Sequence, residues 1–273
     1  MSKVFDGVLL VSDIDGTLIS RDYKVHPKNL EAIEVFKRQG GLFTVATGRS
    51  YEAARPYALA AGVNCPAIVY NGGGLYDFDK QQTVWQSFLP KEANAALLKA
   101  TAAFPEAGAE IHAQGVVYLL QSSPEAQKHI DDEGLTVIPC TPDSLPESGW
   151  NKILFAANPE ILKRLKAFSD ENSVPGAYYI FTSRIYFELI PAGADKGMAL
   201  VKLAELCGSC REKICAVGDY YNDIPLIREA AISAYAANAP EDLKAVAQYV
   251  AADCDEGTVA DFIAHIKTIL GGK

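Results

Sequence analysis

The alternation of apolar and polar positions predicts buried strands and amphipathic helices in turn along the first part of the chain. The run GVLLVSD is apolar on successive positions, which is typical of a strand buried on both faces. In PKNLEAIEVFKRQG, Leu30, Ile33 and Phe36 share one face of a helix that Pro27 can begin. A second strand in GLFTVATG, a helix in SYEAARPYALAAG interrupted near Pro56, and a third strand in AIVYNGG follow. Such alternation predicts a parallel, doubly wound sheet.

The pattern changes near residue 86, where hairpins and helices mix. GLYDF and TVWQSFL predict a hairpin, AEIHAQGVVYLLQ two strands around Gly115, SPEAQKHIDDEG a Ser-Pro-capped helix, and AYYIFTSRIYFELIP a strand pair. After Pro191 the first pattern returns, with helices in DKGMALVKLAELCG, DIPLIREA, APEDLKAVAQYV and GTVADFIAHIKTIL and strands in KICAVGD and AISAYAAN. We therefore predict an α/β fold: a Rossmann-like core of residues 1–85 and 191–273, with an inserted α+β cap over residues 86–190.

Composition narrows the function classes. The 273 residues are 49% hydrophobic with a net charge of -9 and no basic cluster, which argues against a nucleic-acid partner. No apolar segment is long enough to span a bilayer, and the first apolar run is too short for a signal peptide. Six scattered cysteines favour reduced thiols and a cytoplasmic location, and the lone Cys207–Cys210 pair, which follows a helix, is interpreted as incidental. Nothing predicts an obligate protein partner.

Four polar clusters follow strands or open a helix, at the edge where parallel sheets place active sites. Each cluster alone is most simply a set of turn, capping or solvated residues. Together they indicate an active site, because the topology brings the carboxyl ends of the strands and the start of the helix to one place. The clusters are Asp13 with Asp15, Thr47-Gly48-Arg49, Lys196, and Gly218-Asp219 with Asn222 and Asp223.

The residue types indicate phosphate chemistry. The carboxylates of Asp13, Asp15 and Asp219 are the hard oxygen ligands that Mg²⁺ prefers. Alternation along a strand sends Asp13 and Asp15 to the same face, where one can act as a nucleophile and the other as a general acid and base. Phosphate oxygens are expected to be held by the Thr47 hydroxyl, the Gly48 amide and the Lys196 ammonium.

The segments DIDGTL, TVATGR, DKGMAL and GDYYND resemble the four motifs of the haloacid dehalogenase-like phosphatases. The insert between the second and third motifs is similar to that of the Cof-type subfamily, which carries an α/β cap. YNGGGLYD and NAPEDLKAVAQYVAADCDEGTVADFI match as well, although AYAANA stands where the family often has AMGNA. The resemblance implies Mg²⁺-dependent hydrolysis of a small phosphorylated metabolite through an aspartyl-phosphate.

The resemblance also implies a role for each matched residue. Asp13 is the expected nucleophile and Asp15 the expected general acid and base. Mg²⁺ would be bound by Asp13, the main-chain carbonyl of Asp15 and Asp219, with Asp223 supporting its water shell. Phosphate would be bound by Thr47, Gly48, Lys196 and Asn222. In the cap, Arg184, Tyr186 and Trp150 are candidates for contact with the leaving group.

Three other functions make predictions that can be compared with the sequence. A dinucleotide-binding enzyme needs G-x-G-x-x-G after the first strand, where DIDGTL stands instead. A sugar phosphomutase would share these motifs and would require a bisphosphorylated sugar. A non-catalytic phosphate-binding protein predicts a lost catalytic residue, and none is missing. Sugar phosphates, pyridoxal phosphate and flavin mononucleotide are all compatible substrates.

Overall fold

The computed structural model describes residues 3–271, which divide into two compact units. The first consists of residues 3–49, Ala54–Trp85 and residues 195–271, and the second of Ser50–Ala53 and Gln86–Ala194. Among the described residues, no helix has both the length and the apolar character needed to cross a membrane.

The first part of the chain alternates strands and helices and then forms a hairpin. Its elements are β1 (Leu9–Ser12), α1 (Pro27–Arg38), β2 (Leu42–Val45), α2 (Tyr51–Ala61), β3 (Ala67–Val69), β4 (Gly74–Asp77) and β5 (Gln82–Gln86). Pro27 occupies the first turn of α1, as predicted, and the His26 ring accepts a hydrogen bond from the Lys28 amide. The predicted interruption at Pro56 is wrong, because α2 continues through it. Pro56 is the sixth of the eleven residues of α2, where the missing amide leaves the carbonyl of Glu52 without its helical bond, and the helix continues on both sides.

The second unit mixes strand pairs with helices. Its elements are α3 (Glu92–Ala103), β6 (Gly108–Ala113), β7 (Val116–Gln121), α4 (Pro124–Glu133), β8 (Val137–Pro139), β9 (Trp150–Ala156), α5 (Pro159–Glu171), β10 (Ala177–Phe181) and β11 (Tyr186–Pro191). The predicted Ser-Pro cap is present, since the Ser123 hydroxyl accepts from the Ala126 amide and Gly134 ends α4 in a left-handed conformation.

The last part of the chain completes the first unit. Its elements are α6 (Lys196–Cys207), β12 (Ile214–Gly218), α7 (Ile224–Glu229), β13 (Ile232–Ala236), α8 (Glu241–Lys244), β14 (Tyr249–Ala251) and α9 (Thr258–Gly271). The prediction of one long helix in APEDLKAVAQYV is wrong. Only α8 is helical, and Tyr249 to Ala251 pair with β13 instead. Tyr249 also stacks on His265 and donates to Asp261 at 2.9 Å, so tertiary contacts override the local helix propensity.

The predicted parallel sheet is confirmed in the first unit, with strand order β14-β13-β12-β1-β2. Its apolar core joins β1 and β12 to α6, and α1 packs against α9. Strand β3 contacts this sheet through a parallel bridge from Ala46 to Ile68, and it pairs with β4 in a separate sheet of β3, β4 and β5. The carboxyl ends of β1, β2 and β12 lie side by side, because β2 and β12 both pair with β1 in parallel.

The second unit has one six-stranded sheet, in the order β10-β11-β9-β6-β7-β8. Alternate residues of β6, β9 and β11 face opposite sides of the sheet. One side is apolar and packs with α3 and α5, through residues such as Ile111, Ile153 and Phe187. The other side carries buried Glu110, His112, Lys152 and Glu188 and packs against α4.

Candidate active site

Lys196 connects two of the predicted clusters. It is the first residue of α6, which begins there because the Asp195 side chain accepts from the Met198 amide at 2.8 Å. Its ammonium is fully buried and donates to Oδ1 of Asp13 and to Oδ1 of Asp223, each at 2.6 Å. Burial alone would lower the pKa of Lys196, but the two carboxylates raise it above its usual value. Lys196 therefore stays charged and holds the ends of β1 and β12 together.

Asp223 shapes the turn after β12. Its second oxygen accepts from the backbone amides of Asp219 at 2.9 Å and Tyr220 at 3.1 Å. A side chain at Gly218 would collide with the Asp223 carboxylate, so only glycine allows this close approach. Both oxygens of Asp223 are thus engaged, and they fix the position of the neighbouring Asp219.

Asp13, Asp219 and Asp223 each offer one carboxylate oxygen, and these three atoms lie within 4.8 Å of one another. Burial raises the pKa of Asp13 and of Asp219, and neighbouring carboxylates raise both further while Lys196 opposes the shift. Three carboxylates share one ammonium, so the group carries excess negative charge. An oxygen-only set with unbalanced charge fits Mg²⁺.

Asp15 has a different environment from Asp13. Strand β1 ends at Ser12, so the strict alternation expected for a strand does not reach either aspartate. The guanidinium of Arg49 donates to both oxygens of Asp15, from Nε at 2.8 Å and from Nη2 at 2.6 Å. Arg49 is buried, whereas the Asp15 side chain is 48% exposed. The two aspartates therefore differ in their partners: a lysine holds Asp13, and an arginine holds Asp15.

Thr47 and Gly48 lie where β2 ends. The Thr47 hydroxyl accepts from the Arg49 amide at 3.1 Å, and the Thr47 amide donates to the Ile68 carbonyl at 2.9 Å. A side chain at Gly48 would press against Asn71, whose Oδ1 accepts from Asn222 at 3.0 Å. These contacts bring the predicted phosphate-binding residues Thr47, Gly48 and Asn222 to the same edge as the carboxylates.

Arg49 and Asn71 were missing from the predicted site residues. Arg49 follows Thr47-Gly48 directly and was noted only as part of that cluster. Asn71 has φ 54° and ψ 32°, a left-handed conformation that asparagine tolerates better than most residues. An asparagine before three glycines at a strand end was the signal that could have identified it.

The predicted cap residues do not form one group. Trp150 begins β9, where it is buried and its indole donates to the Pro146 carbonyl at 2.8 Å. Tyr186 pairs with the opposite end of β9, and its ring contacts that of His129 edge-on at 4.9 Å. Arg184 is exposed in the turn before Tyr186. Arg184 and Tyr186 therefore share one end of the sheet, and Trp150 lies at the other.

The family profile described as haloacid dehalogenase-like hydrolase matches residues 10–263. The HMP-PP phosphatase of Klebsiella pneumoniae (strain 342) is 26% identical over 259 residues, which cover 94% of each chain. The pyridoxal phosphate phosphatase YbhA of Escherichia coli (strain K12) is 26% identical over 276 residues, which cover 93% of this chain and 97% of that protein.

A solved structure has the same fold. It is a haloacid dehalogenase-like hydrolase from Bacteroides thetaiotaomicron, which superposes with a TM-score of 0.84 at 24% identity. The match covers 95% of this chain and 99% of that one, so both the core and the inserted region have counterparts there. The predicted fold class is confirmed.

Proposed function

The chain belongs to the haloacid dehalogenase-like hydrolases and is a phosphatase of small phosphate monoesters, and we propose that it works through an aspartyl-phosphate on Asp13 with Mg²⁺ as cofactor. The observation that supports this mechanism is the buried group of Asp13, Asp219 and Asp223 around Lys196 at the carboxyl ends of β1 and β12. A buried excess of carboxylate is costly unless a cation compensates it. The site therefore has a chemical reason to bind a metal ion, whose positive charge in turn favours a phosphate.

Asp13 is the proposed nucleophile. Lys196 fixes one of its oxygens, which leaves the other to attack phosphorus. A bond forms between the Asp13 carboxylate oxygen and phosphorus while the bond from phosphorus to the leaving oxygen breaks. Water then attacks the same phosphorus and releases Asp13 and inorganic phosphate.

Asp15 is the proposed general acid and base. Its exposed carboxyl can give a proton to the leaving oxygen in the first step and accept one from water in the second. The two hydrogen bonds from Arg49 hold this carboxyl in one orientation. Arg49 is thus proposed as a positioning residue for Asp15.

The metal would be held by Asp13, the main-chain carbonyl of Asp15 and Asp219. When bound, Mg²⁺ supplies positive charge that offsets the negative charge of the phosphoryl group. Asp223 is proposed to support the metal's water shell, and it already orients Lys196 and the backbone of Asp219. Phosphate oxygens are assigned to the Thr47 hydroxyl, the Gly48 amide, the Lys196 ammonium and the Asn222 amide.

The inserted region is proposed to select the substrate, a small phosphorylated metabolite such as a sugar phosphate or a cofactor phosphate. One relative is named for pyridoxal phosphate, which supports this substrate class. Arg184 and Tyr186 share one end of the sheet, and we propose them as the first positions to vary, with Trp150 as a separate candidate. The scattered cysteines suit the reducing cytoplasm, which we propose as the location.

An assay with p-nitrophenyl phosphate tests the proposed function. EDTA should abolish turnover of the purified protein, Mg²⁺ should restore it, and Ca²⁺ should inhibit it because its looser coordination misplaces the reacting atoms. Turnover without added bisphosphorylated sugar separates a hydrolase from a phosphomutase. Full activity in metal-free protein would refute the metal dependence, and a panel of phosphorylated metabolites would then rank the substrates.

A further inference from the structure

Three metal-ligating side chains meet inside the second unit, away from the carboxylates described above. Glu110 and His112 are two residues apart on β6 and so face the same side of the sheet. His129 reaches them from α4, which packs over that side. All three side chains are buried.

The donor atoms of these residues converge on Glu110. Nε2 of His112 lies 3.3 Å from Oε2 of Glu110, and Nδ1 of His129 lies 3.1 Å and 2.9 Å from its two oxygens. In a tetrahedral zinc site, bonds of about 2.0–2.1 Å place neighbouring donor atoms about 3.3 Å apart. We propose that Glu110, His112 and His129 bind a zinc ion, with a water molecule as the fourth ligand.

A second observation supports a metal at this place. The other ring nitrogen of His129, Nε2, lies 3.4 Å from Oε1 of Glu133, one helical turn further along α4. Zinc-binding histidines commonly direct their second nitrogen to a carboxylate, which fixes the ring and makes it a better ligand. His129 therefore has one nitrogen aimed at the proposed metal and the other at the group that orients it.

The charges balance for a divalent ion. When both histidines are neutral, as metal ligands must be, they contribute no charge, and Glu110 and Glu133 contribute two negative charges. Lys152, which pairs with His112 across the β6–β9 ladder, is compensated by Glu188, whose Oε1 accepts from the lysine at 2.8 Å. A zinc ion would make this buried group neutral, which lowers the cost of keeping the carboxylates out of water. Imidazole ligands also favour zinc over Mg²⁺, which prefers oxygen.

Cobalt is the probe for this site, because Co²⁺ bound to imidazole and carboxylate in a low-coordinate site absorbs visible light strongly. The full-length protein is stripped of metal, supplied with excess Mg²⁺, and titrated with Co²⁺. We expect an absorption band that saturates at one equivalent and disappears when Zn²⁺ is added. His112→Gln and His129→Gln should each abolish the band. His265→Gln in the first unit and Asp219→Asn should retain it.

Glu133→Gln keeps all three ligands and should weaken Co²⁺ binding by about 10- to 100-fold. This variant decides the question if the two histidine variants fail to fold, as judged by circular dichroism. The proposal is overturned if folded wild-type protein gives no band, or if Asp219→Asn abolishes the band. It is equally overturned if Co²⁺ affinity is unchanged in Glu133→Gln, since the Co²⁺ would then be bound at a site that His129 and its carboxylate partner do not help to form.

Discussion

Two buried groups of ionisable side chains, one in each compact unit, contain carboxyl groups whose pKa values shift in opposite directions. At the ends of β1 and β12, burial raises the pKa of Asp13 and Asp219, and the crowding of carboxylates adds to the shift. On the sheet of the second unit, burial alone would raise the pKa of Glu110. Hydrogen bonds from His112 and His129 prevail there and lower it to about 2.

The balance of charge, more than the depth of burial, distinguishes the two groups. The first has three carboxylates around one lysine and only oxygen donors, so it is incomplete without a cation or a proton. In the second, each carboxylate has an imidazole within contact distance. An unbalanced group of this kind is expected at a reactive site, where stability is sacrificed for chemistry.

The largest expected effect comes from the nucleophile. Asp13→Asn replaces a carboxylate with an amide that cannot attack phosphorus, so turnover of p-nitrophenyl phosphate should fall by about 10⁴-fold or more. Asp6→Asn, at an exposed position in the same unit, is the matched control and should retain activity. Activity near the wild-type level in Asp13→Asn would show that Asp13 is not the nucleophile. The carboxylates around Lys196 would then not be the reactive group.

Asp15→Asn should distinguish the role of Asp15 from that of Asp13. Loss of a general acid costs about 10²- to 10⁴-fold, so a sugar phosphate should be hydrolysed that much more slowly. p-Nitrophenolate leaves without a proton, so its release should show a rapid burst followed by slow turnover as the phosphoenzyme accumulates. Equal losses for both substrates without a burst would assign Asp15 a positioning role only.

Carboxyl-to-amide changes in the two groups should shift stability in opposite directions. In metal-free protein at pH 7, Asp219→Asn removes a crowded charge and should raise the free energy of unfolding by about 1–2 kcal/mol, while abolishing activity. Glu110→Gln removes the carboxylate that lies between two histidines and should lower the free energy of unfolding by about 3–5 kcal/mol. Urea denaturation measures both, and the same sign for the two variants would contradict the comparison.

The smallest effect concerns pH. Because the pKa of Asp13 is higher in the folded than in the unfolded protein, its stabilising contribution is complete below about pH 4 and is lost as the pH rises toward the folded pKa. For Glu110 the folded pKa is lower, so its contribution is complete above about pH 4.5 and is lost only as the pH falls toward 2.

Denaturation of metal-free protein between pH 4.5 and 6 should therefore show stability that declines as the pH rises. Saturating Mg²⁺ should reduce this slope, because bound carboxylates stay ionised at every pH in that range. Asp219→Asn should reduce it too, since fewer charges then crowd Asp13. A slope that neither Mg²⁺ nor the substitution changes would mean that other groups determine it.

The fold class, the family and the phosphatase class were predicted from the sequence and are confirmed. Strand and helix periods identified the parallel sheet, and local signals such as the Ser123 cap identified α4. The segment from Tyr249 to Ala251 was predicted wrongly, because its pairing with β13 depends on a neighbour that helix propensity does not include. The residues proposed for the site could be selected from the sequence because parallel strands bring their carboxyl ends to one edge, and their roles stay predictions.

Local patterns are enough to predict which side chains follow the strands and which segments are buried, since both depend on spacing within a few residues. The partners of those side chains depend instead on how distant parts of the chain pack. Lys196 meets Asp13 across 183 residues, Arg49 meets Asp15 across 34, and Asn222 meets Asn71 across 151. The meeting of His129 with Glu110 likewise depends on how α4 packs on the sheet. A charge interacts with whatever lies within a few ångströms, and chain packing, which no local pattern records, sets those distances.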